Sequence, residues 1–221
     1  DLRTRQTIGA GLADLNSETL RAWINNPSDL KEVNHMSGRA FIYQDGDVTL
    51  SDEEVEAVCT EVDAGTCVPA NFNASGQVVV SGDIAGVEQG MERAMDAGAR
   101  RVVRLNVSGA FHSPLMEPAV DGLRDKLQSI EFQDPAYPVF SNVTASPVTS
   151  GSEARQLMVE QLTSAVRWSA SVAAMVDAGA DRFLELGPGS VLCGLNRRNA
   201  KGVPCRSIGD TEDLATSVDG A

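Results

Sequence analysis

The chain has 221 residues, 42% of them hydrophobic and 22% charged, enough for one sizeable core or a core with a small subdomain. Its net charge of −13 argues against nucleic acid as a partner, because little positive surface is left to neutralise phosphates. No window approaches the roughly 20 apolar residues of a membrane span and no signal peptide opens the chain, so the expectation is a cytoplasmic protein without membrane contact. Cys59, Cys67, Cys193 and Cys205 lack Cys-x-x-Cys spacing and read as reduced, mostly buried thiols; no metal site and no cofactor are expected.

In chain order, Gly38–Gln44 is a candidate leading strand. Ser51 and Glu54 have capping-box spacing and open a helix whose apolar stripe is Val55, Val58, Cys59 and Val62. Strands are predicted at Cys67–Asn71 and Gln77–Ser81, separated by the turn-rich Asn73-Ala74-Ser75-Gly76. Asp83 is a plausible N-cap for a helix lined by Ile84, Val87, Met91 and Met95, with Gly98 as its stop. Arg101–Val107 alternates like a strand. The order β-α-β-β-α-β over residues 39–107 corresponds to a ferredoxin-like unit.

Beyond it, helices are predicted at Ser113–Ile130, Ser152–Arg167 and Ser171–Gly179, with strands at Tyr137–Val143 and Arg182–Leu186. Gly187-Pro188-Gly189 reads as a strand-to-helix turn, since it lacks the spacing of a phosphate cradle. Ser190 then opens a short helix to Arg198, followed by a strand at Val203–Ile208, and the tail from Asp210 is acidic and small. The alternation implies an α/β fold with an open, mostly parallel sheet.

His112 is one of two histidines in the chain. Placed after the apolar Gly109-Ala110-Phe111 and before a new helix, its imidazole has the chemistry of a general base near neutral pH. The alternative is a hydrogen-bonded structural histidine.

Six landmarks occur in one order: Val68-Pro69-Ala70-Asn71-Phe72-Asn73, Gln77-Val78-Val79-Val80-Ser81-Gly82, Phe111-His112-Ser113-Pro114-Leu115-Met116, Ser141-Asn142-Val143-Thr144-Ala145, Gln161-Leu162-Thr163-Ser164 with Val166-Arg167-Trp168, and Glu185-Leu186-Gly187-Pro188-Gly189. Together they resemble the C-terminal portion, about residues 50–208 here, of malonyl-CoA:acyl-carrier-protein transacylases. The resemblance implies a ferredoxin-like small subdomain inserted in an α/β-hydrolase-like acyltransferase domain. It also implies ping-pong transfer of malonyl from malonyl-CoA to the phosphopantetheine thiol of acyl carrier protein, in fatty acid synthesis.

Under it, His112 is the base and the backbone carbonyl of Gln161 holds its imidazole, with a helix-surface glutamine as the bland alternative. Asn71 and Asn73 lie near the substrate cleft, unless they serve turns. Phe111 disfavours methyl-branched acyl groups. Two basic clusters, Arg100, Arg101 and Arg104, then Arg197, Arg198 and Lys201, are candidates for docking an acidic carrier protein; each is otherwise a solvated face.

The family's Gly-His-Ser-x-Gly elbow has no counterpart, since no Gly-x-Ser-x-Gly occurs in the 221 residues. No nucleophile is assigned, and the chain is expected to be inactive alone. Gln6–Gly11, Leu20–Ile24, Asn26-Pro27 and Asn34-His35-Met36 resemble the second half of cytochrome c domains fused to haem–copper oxidase subunit II, where Met36 would match an axial ligand. Cys-x-x-Cys-His is absent, so His35 and Met36 are not expected to bind haem.

The chain therefore reads as a junction of two incomplete pieces, a cytochrome-c-like remnant at 1–38 and an acyltransferase portion made of a ferredoxin-like subdomain at 39–107 and part of the large domain at 108–209, followed by an acidic tail at 210–221. A non-catalytic module binding acyl carrier protein or coenzyme A is the alternative reading.

Overall fold

The computed structural model describes residues 37–43, 50–105 and 109–213; within the first stretch, only the side chains of Ala40 and Ile42 are described. The segments matched to cytochrome c domains, including His35 and Met36, lie outside the described residues, as do residues 106–108 and 214–221.

Strand β1 (Ser37–Tyr43) is followed by helix α1 (Asp52–Thr60), strands β2 (Cys67–Ala74) and β3 (Gln77–Asp83), helix α2 (Ile84–Asp96) and strand β4 (Arg101–Leu105). These strands form one antiparallel sheet of order β2-β3-β1-β4. Ser51 caps α1 through the expected reciprocal pair, its hydroxyl accepting from Glu54 N while the Glu54 carboxylate accepts from Ser51 N. Asp83 caps α2 by accepting from Gly86 N, and also accepts from Thr66 N at 2.6 Å. That bond draws the α1–β2 connection onto the start of α2. A Cβ at position 86 would overlap the Thr66 carbonyl, so the close approach requires glycine there.

Ala40, Ile42, Val55, Val58, Phe72, Val78, Val80, Val87 and Ala94 form the core between the sheet and its two helices. Along β3 the outward-alternating Val79 and Ser81 are buried as well. Later parts of the chain touch this sheet: a 3-10 helix (Pro114–Ala119) touches β3, and helices α5 (Trp168–Asp177) and α6 (Val191–Asn199) touch β2.

Several expectations for the second half are corrected. The first helix begins as that 3-10 segment and becomes α-helical only at α3 (Val120–Gln128). Pro118, inside this segment, lacks the amide proton that would bond to Pro114 O, which removes a regular i to i−4 bond from the first turns. The strand expected at Tyr137–Val143 shrinks to β5 (Val139–Phe140), paired with β6 (Pro147–Val148). Residues 141–146 between them close a turn in which Ala145 has φ 54°. Helix α4 (Gly151–Glu160) stops before Gln161, and α5 starts earlier than expected, at Trp168. In place of an open parallel sheet, β7 (Phe183–Leu186) and β8 (Cys205–Ile208) form the one parallel strand pair among the described residues. Met95, expected inside, is half exposed.

The expectation of four reduced thiols is also corrected. Cys193 and Cys205 form a disulfide with Cα atoms 5.3 Å apart. Packing of α6 on β8 brings together cysteines twelve positions apart, which spacing alone could not reveal. Cys59 and Cys67 are free and buried, as expected. Among the described residues no helix is long and apolar enough to cross a membrane.

Candidate active site

Helix termini leave carbonyls without intrahelical partners, and the end of α4 uses two such carbonyls to hold His112. Gln161 is its C-cap, bonding back through its own N–H to Leu157 O at 2.9 Å. The Gln161 carbonyl accepts from His112 Nδ1 at 2.9 Å, and the Leu162 carbonyl accepts from His112 N at 3.1 Å. A carbonyl oxygen can only accept, so Nδ1 carries the proton and neutral imidazole keeps its basic lone pair on Nε2. The side-chain amide of Gln161 lies 3.3 Å from Nδ1, but its donated bond runs to Ser164 O at 3.0 Å.

His112 has φ 64°, in the left-handed region that costs energy for a residue with a Cβ. The two bonds to the end of α4 hold it there. Phe111 and Leu162 pack against Met116 and Ala119. Ser113 is fully buried, donates its hydroxyl proton to Ala110 O at 2.6 Å and accepts from Leu115 N, so it caps the 3-10 helix. That bonding removes it from consideration as the nucleophile.

Asn71 and Asn73 lie within β2, so the turn alternative is corrected. Phe72 N donates to Val166 O and Val166 N to Ala70 O, which fastens the 165–167 segment to the free edge of β2 beside Asn71. The carbonyl of Asn73 accepts from Asn199 Nδ2 at 2.8 Å. Gln161 is half-buried at a helix end and not on an exposed helix surface. The contribution of Leu162, a carbonyl and a packing contact, has no signature in its residue type and was missed.

Arg104 pairs with Glu88 at 2.6 Å, and Arg198 donates to the Gln77 side chain. Arg101 and Gln77 are both register partners of Tyr43, so Arg101 and the end of α6 lie at one end of the sheet, whereas Arg104 stands opposite Ala40 and pairs with Glu88 on α2. Two strand spacings, about 10 Å, separate Arg101 from Gln77. Arg100 and Arg197 flank these positions and are exposed.

A histidine whose Nδ1 is fixed by a main-chain carbonyl, beside a small sheet whose edge strand carries two asparagines, is an arrangement compatible with acyl transfer. The acyl transferase domain family model matches residues 41–216, and the chain belongs to that family. The malonyl CoA-acyl carrier protein transacylase of Bacillus subtilis (strain 168) is 38% identical over 149 residues, which are 67% of this chain and 47% of that protein. The solved acyl carrier protein S-malonyltransferase from Vibrio cholerae superposes with a TM-score of 0.77 at 33% identity, covering 82% of this chain and 58% of that one. A malonyl-transacylase solved in complex with its type II PKS acyl-carrier protein gives 0.79 at 33% identity, covering 87% and 62%. The chain spans about half the length of the curated relatives it matches.

Proposed function

We propose that this chain carries the base-bearing part of a malonyl-CoA:acyl-carrier-protein transacylase acting in fatty acid synthesis. The observation that carries this reading is the 2.9 Å bond from His112 Nδ1 to the Gln161 carbonyl, which leaves Nε2 as the base. In the proposed cycle, Nε2 takes the proton of a serine hydroxyl as the oxygen attacks the malonyl thioester, and coenzyme A leaves as the thiol with that proton. His112 then deprotonates the phosphopantetheine thiol, which attacks the malonyl-serine ester, and the proton returns to the serine. The serine comes from outside these 221 residues, since no Gly-x-Ser-x-Gly is present.

The strand order β2-β3-β1-β4 supports a ferredoxin-like small subdomain over 39–107, with 108–209 as part of the larger α/β-hydrolase-like domain. Residues 1–38 carry no assigned haem chemistry, and 210–221 form an acidic tail. Asn71 and Asn73 are assigned to the substrate cleft, and Phe111 to a preference for malonyl over methyl-branched acyl groups. Arg100, Arg101, Arg197 and Arg198 at one end of the sheet, and Arg104 farther along β4, are assigned to acyl carrier protein. A cytoplasmic setting, where coenzyme A thioesters are used, would place the Cys193–Cys205 bond under reducing pressure.

The test is malonyl transfer to holo acyl carrier protein by this chain alone, and by this chain with a separately produced elbow-bearing segment. The expected result is no turnover alone and restored turnover with the segment, falling by about a thousandfold or more in His112→Ala. Turnover by the chain alone that His112→Ala abolishes would mean another serine serves. Turnover indifferent to His112 would sink the assignment.

A further inference from the structure

A cleft of about 370 Å³ lies between α1, the edge strand β2 and the 165–167 segment, apart from His112. Glu56, Cys59, Thr60, Cys67, Phe72 and Arg167 are among the residues lining it. The sulfurs of Cys59 and Cys67 lie 3.8 Å apart, one on the last turn of α1 and the other at the first residue of β2. Both side chains are buried, and both residues line the cleft.

Space for the second sulfur is built into α2. A Cβ at Gly90 would lie 2.6 Å from Cys67 Sγ, so the absent methyl is what admits this sulfur. The rim carries charge of both signs. Arg167 stands over the Phe72 ring at 5.9 Å, with Glu56 lining the same cleft and Asp52 within electrostatic reach of both.

We propose that Cys59 and Cys67 are a redox-active dithiol, which a small carboxylate-bearing disulfide of the glutathione class oxidises through this cleft to an intramolecular disulfide joining α1 to β2. The carboxylates of such a reagent match the Arg167 guanidinium. The sulfurs must close from 3.8 Å to about 2.05 Å, a shift of about 1.8 Å that rotation about the cysteine side chains can largely supply.

In the proposed sequence Cys67 attacks first. The hydrogen bond between the thiols draws Cys67 toward the thiolate and, with burial, holds Cys59 protonated. Cys67 thiolate attacks one sulfur of the reagent disulfide, forming a mixed disulfide and releasing one thiolate, which takes up the proton lost from Cys67. Cys59 then loses its proton to solvent and attacks the Cys67 sulfur, expelling the second thiolate, which is protonated in turn. The dithiol loses two electrons and two protons, and one reagent disulfide becomes two thiols.

The test equilibrates the whole chain, folded and in urea, with reduced and oxidised glutathione. Alkylation and peptide mapping then measure how much Cys59–Cys67 linkage has formed. The expected result is joint loss of both thiols, with an equilibrium constant about tenfold or more higher in the folded chain than in urea. Cys59→Ser is expected to accumulate glutathione on Cys67, and Gly90→Ala to lower the folded-state constant by crowding that sulfur. Equal constants in the folded and unfolded chain would overturn the proposal. So would a lasting glutathione adduct on one cysteine of the unmutated chain, or no oxidation of the folded chain where the unfolded one oxidises.

Discussion

His112 shows how a single residue is set by groups far from it in the chain. Its backbone sits at φ 64°, and the carbonyls of Gln161 and Leu162 hold both its ring and its amide. Residue type made His112 a candidate base, but the sign of its tautomer came from the acceptor it meets. A second residue-scale device is Gln89 on α2. Its amide oxygen accepts from Asp63 N and Ala64 N, both at 2.9 Å, while its amide nitrogen donates to the Asp63 carboxylate at 2.6 Å. That last bond holds the Asp63 pKa below its ordinary 3.8. The folded-state value lies below the unfolded one, so this contribution is fully present above pH 3.8 and is lost as pH falls through the folded value. Gln89→Ala is accordingly expected to lower the urea midpoint more at pH 7 than in acid below the folded-state value, where the carboxyl is protonated in both states. An equal drop at both pH values would count against a charge-linked role.

At the scale of elements, the caps were the most legible feature. Ser51 with Glu54, and Asp83, were identified from spacing and stand where expected, because a cap bonds within three residues and needs no tertiary partner. Helix α6 departs from that rule: its N-cap Ser190 makes no side-chain cap bond. Instead the Glu185 carboxylate, on β7, accepts from Leu192 N at 3.0 Å and Cys193 N at 2.8 Å. A carboxylate at a helix N-terminus satisfies orphan amides and complements the dipole. Glu185→Ala is therefore expected to cost about 1 kcal/mol by denaturant unfolding and to speed hydrogen exchange at Leu192 and Cys193. Unchanged exchange at those two amides would remove Glu185 from this role. Strand length is less legible at β5, which is two residues where the apolar run suggests seven, because a local pattern does not specify the pairing partner; β7 matches its expected range to within one residue.

Over the whole molecule, the two parts differ in how completely they are covered. The β1–β4 sheet packs against its two helices around a continuous core. By contrast Leu184, Leu186 and Val191 are 57%, 75% and 72% exposed, and β7 pairs only with β8 among the described residues. An apolar strand with an open edge invites association. The isolated chain is expected to self-associate with increasing concentration in sedimentation, and Leu184→Lys with Leu186→Lys to shift it toward monomer. A sharp monomer with cooperative melting would contradict that expectation.

The sequence by itself determined the β-α-β-β-α-β order, the caps, the absence of an elbow serine and the candidacy of His112, all of which depend on residue type or on spacings within one element. Tertiary structure decided what distance along the chain conceals. It set the meeting of His112 with a carbonyl 49 positions away, the closing of Cys193 on Cys205 and the approach of Cys59 to Cys67. Periodicity and capping are local interactions written into neighbouring residues, whereas these contacts depend on the path the chain takes between packed elements.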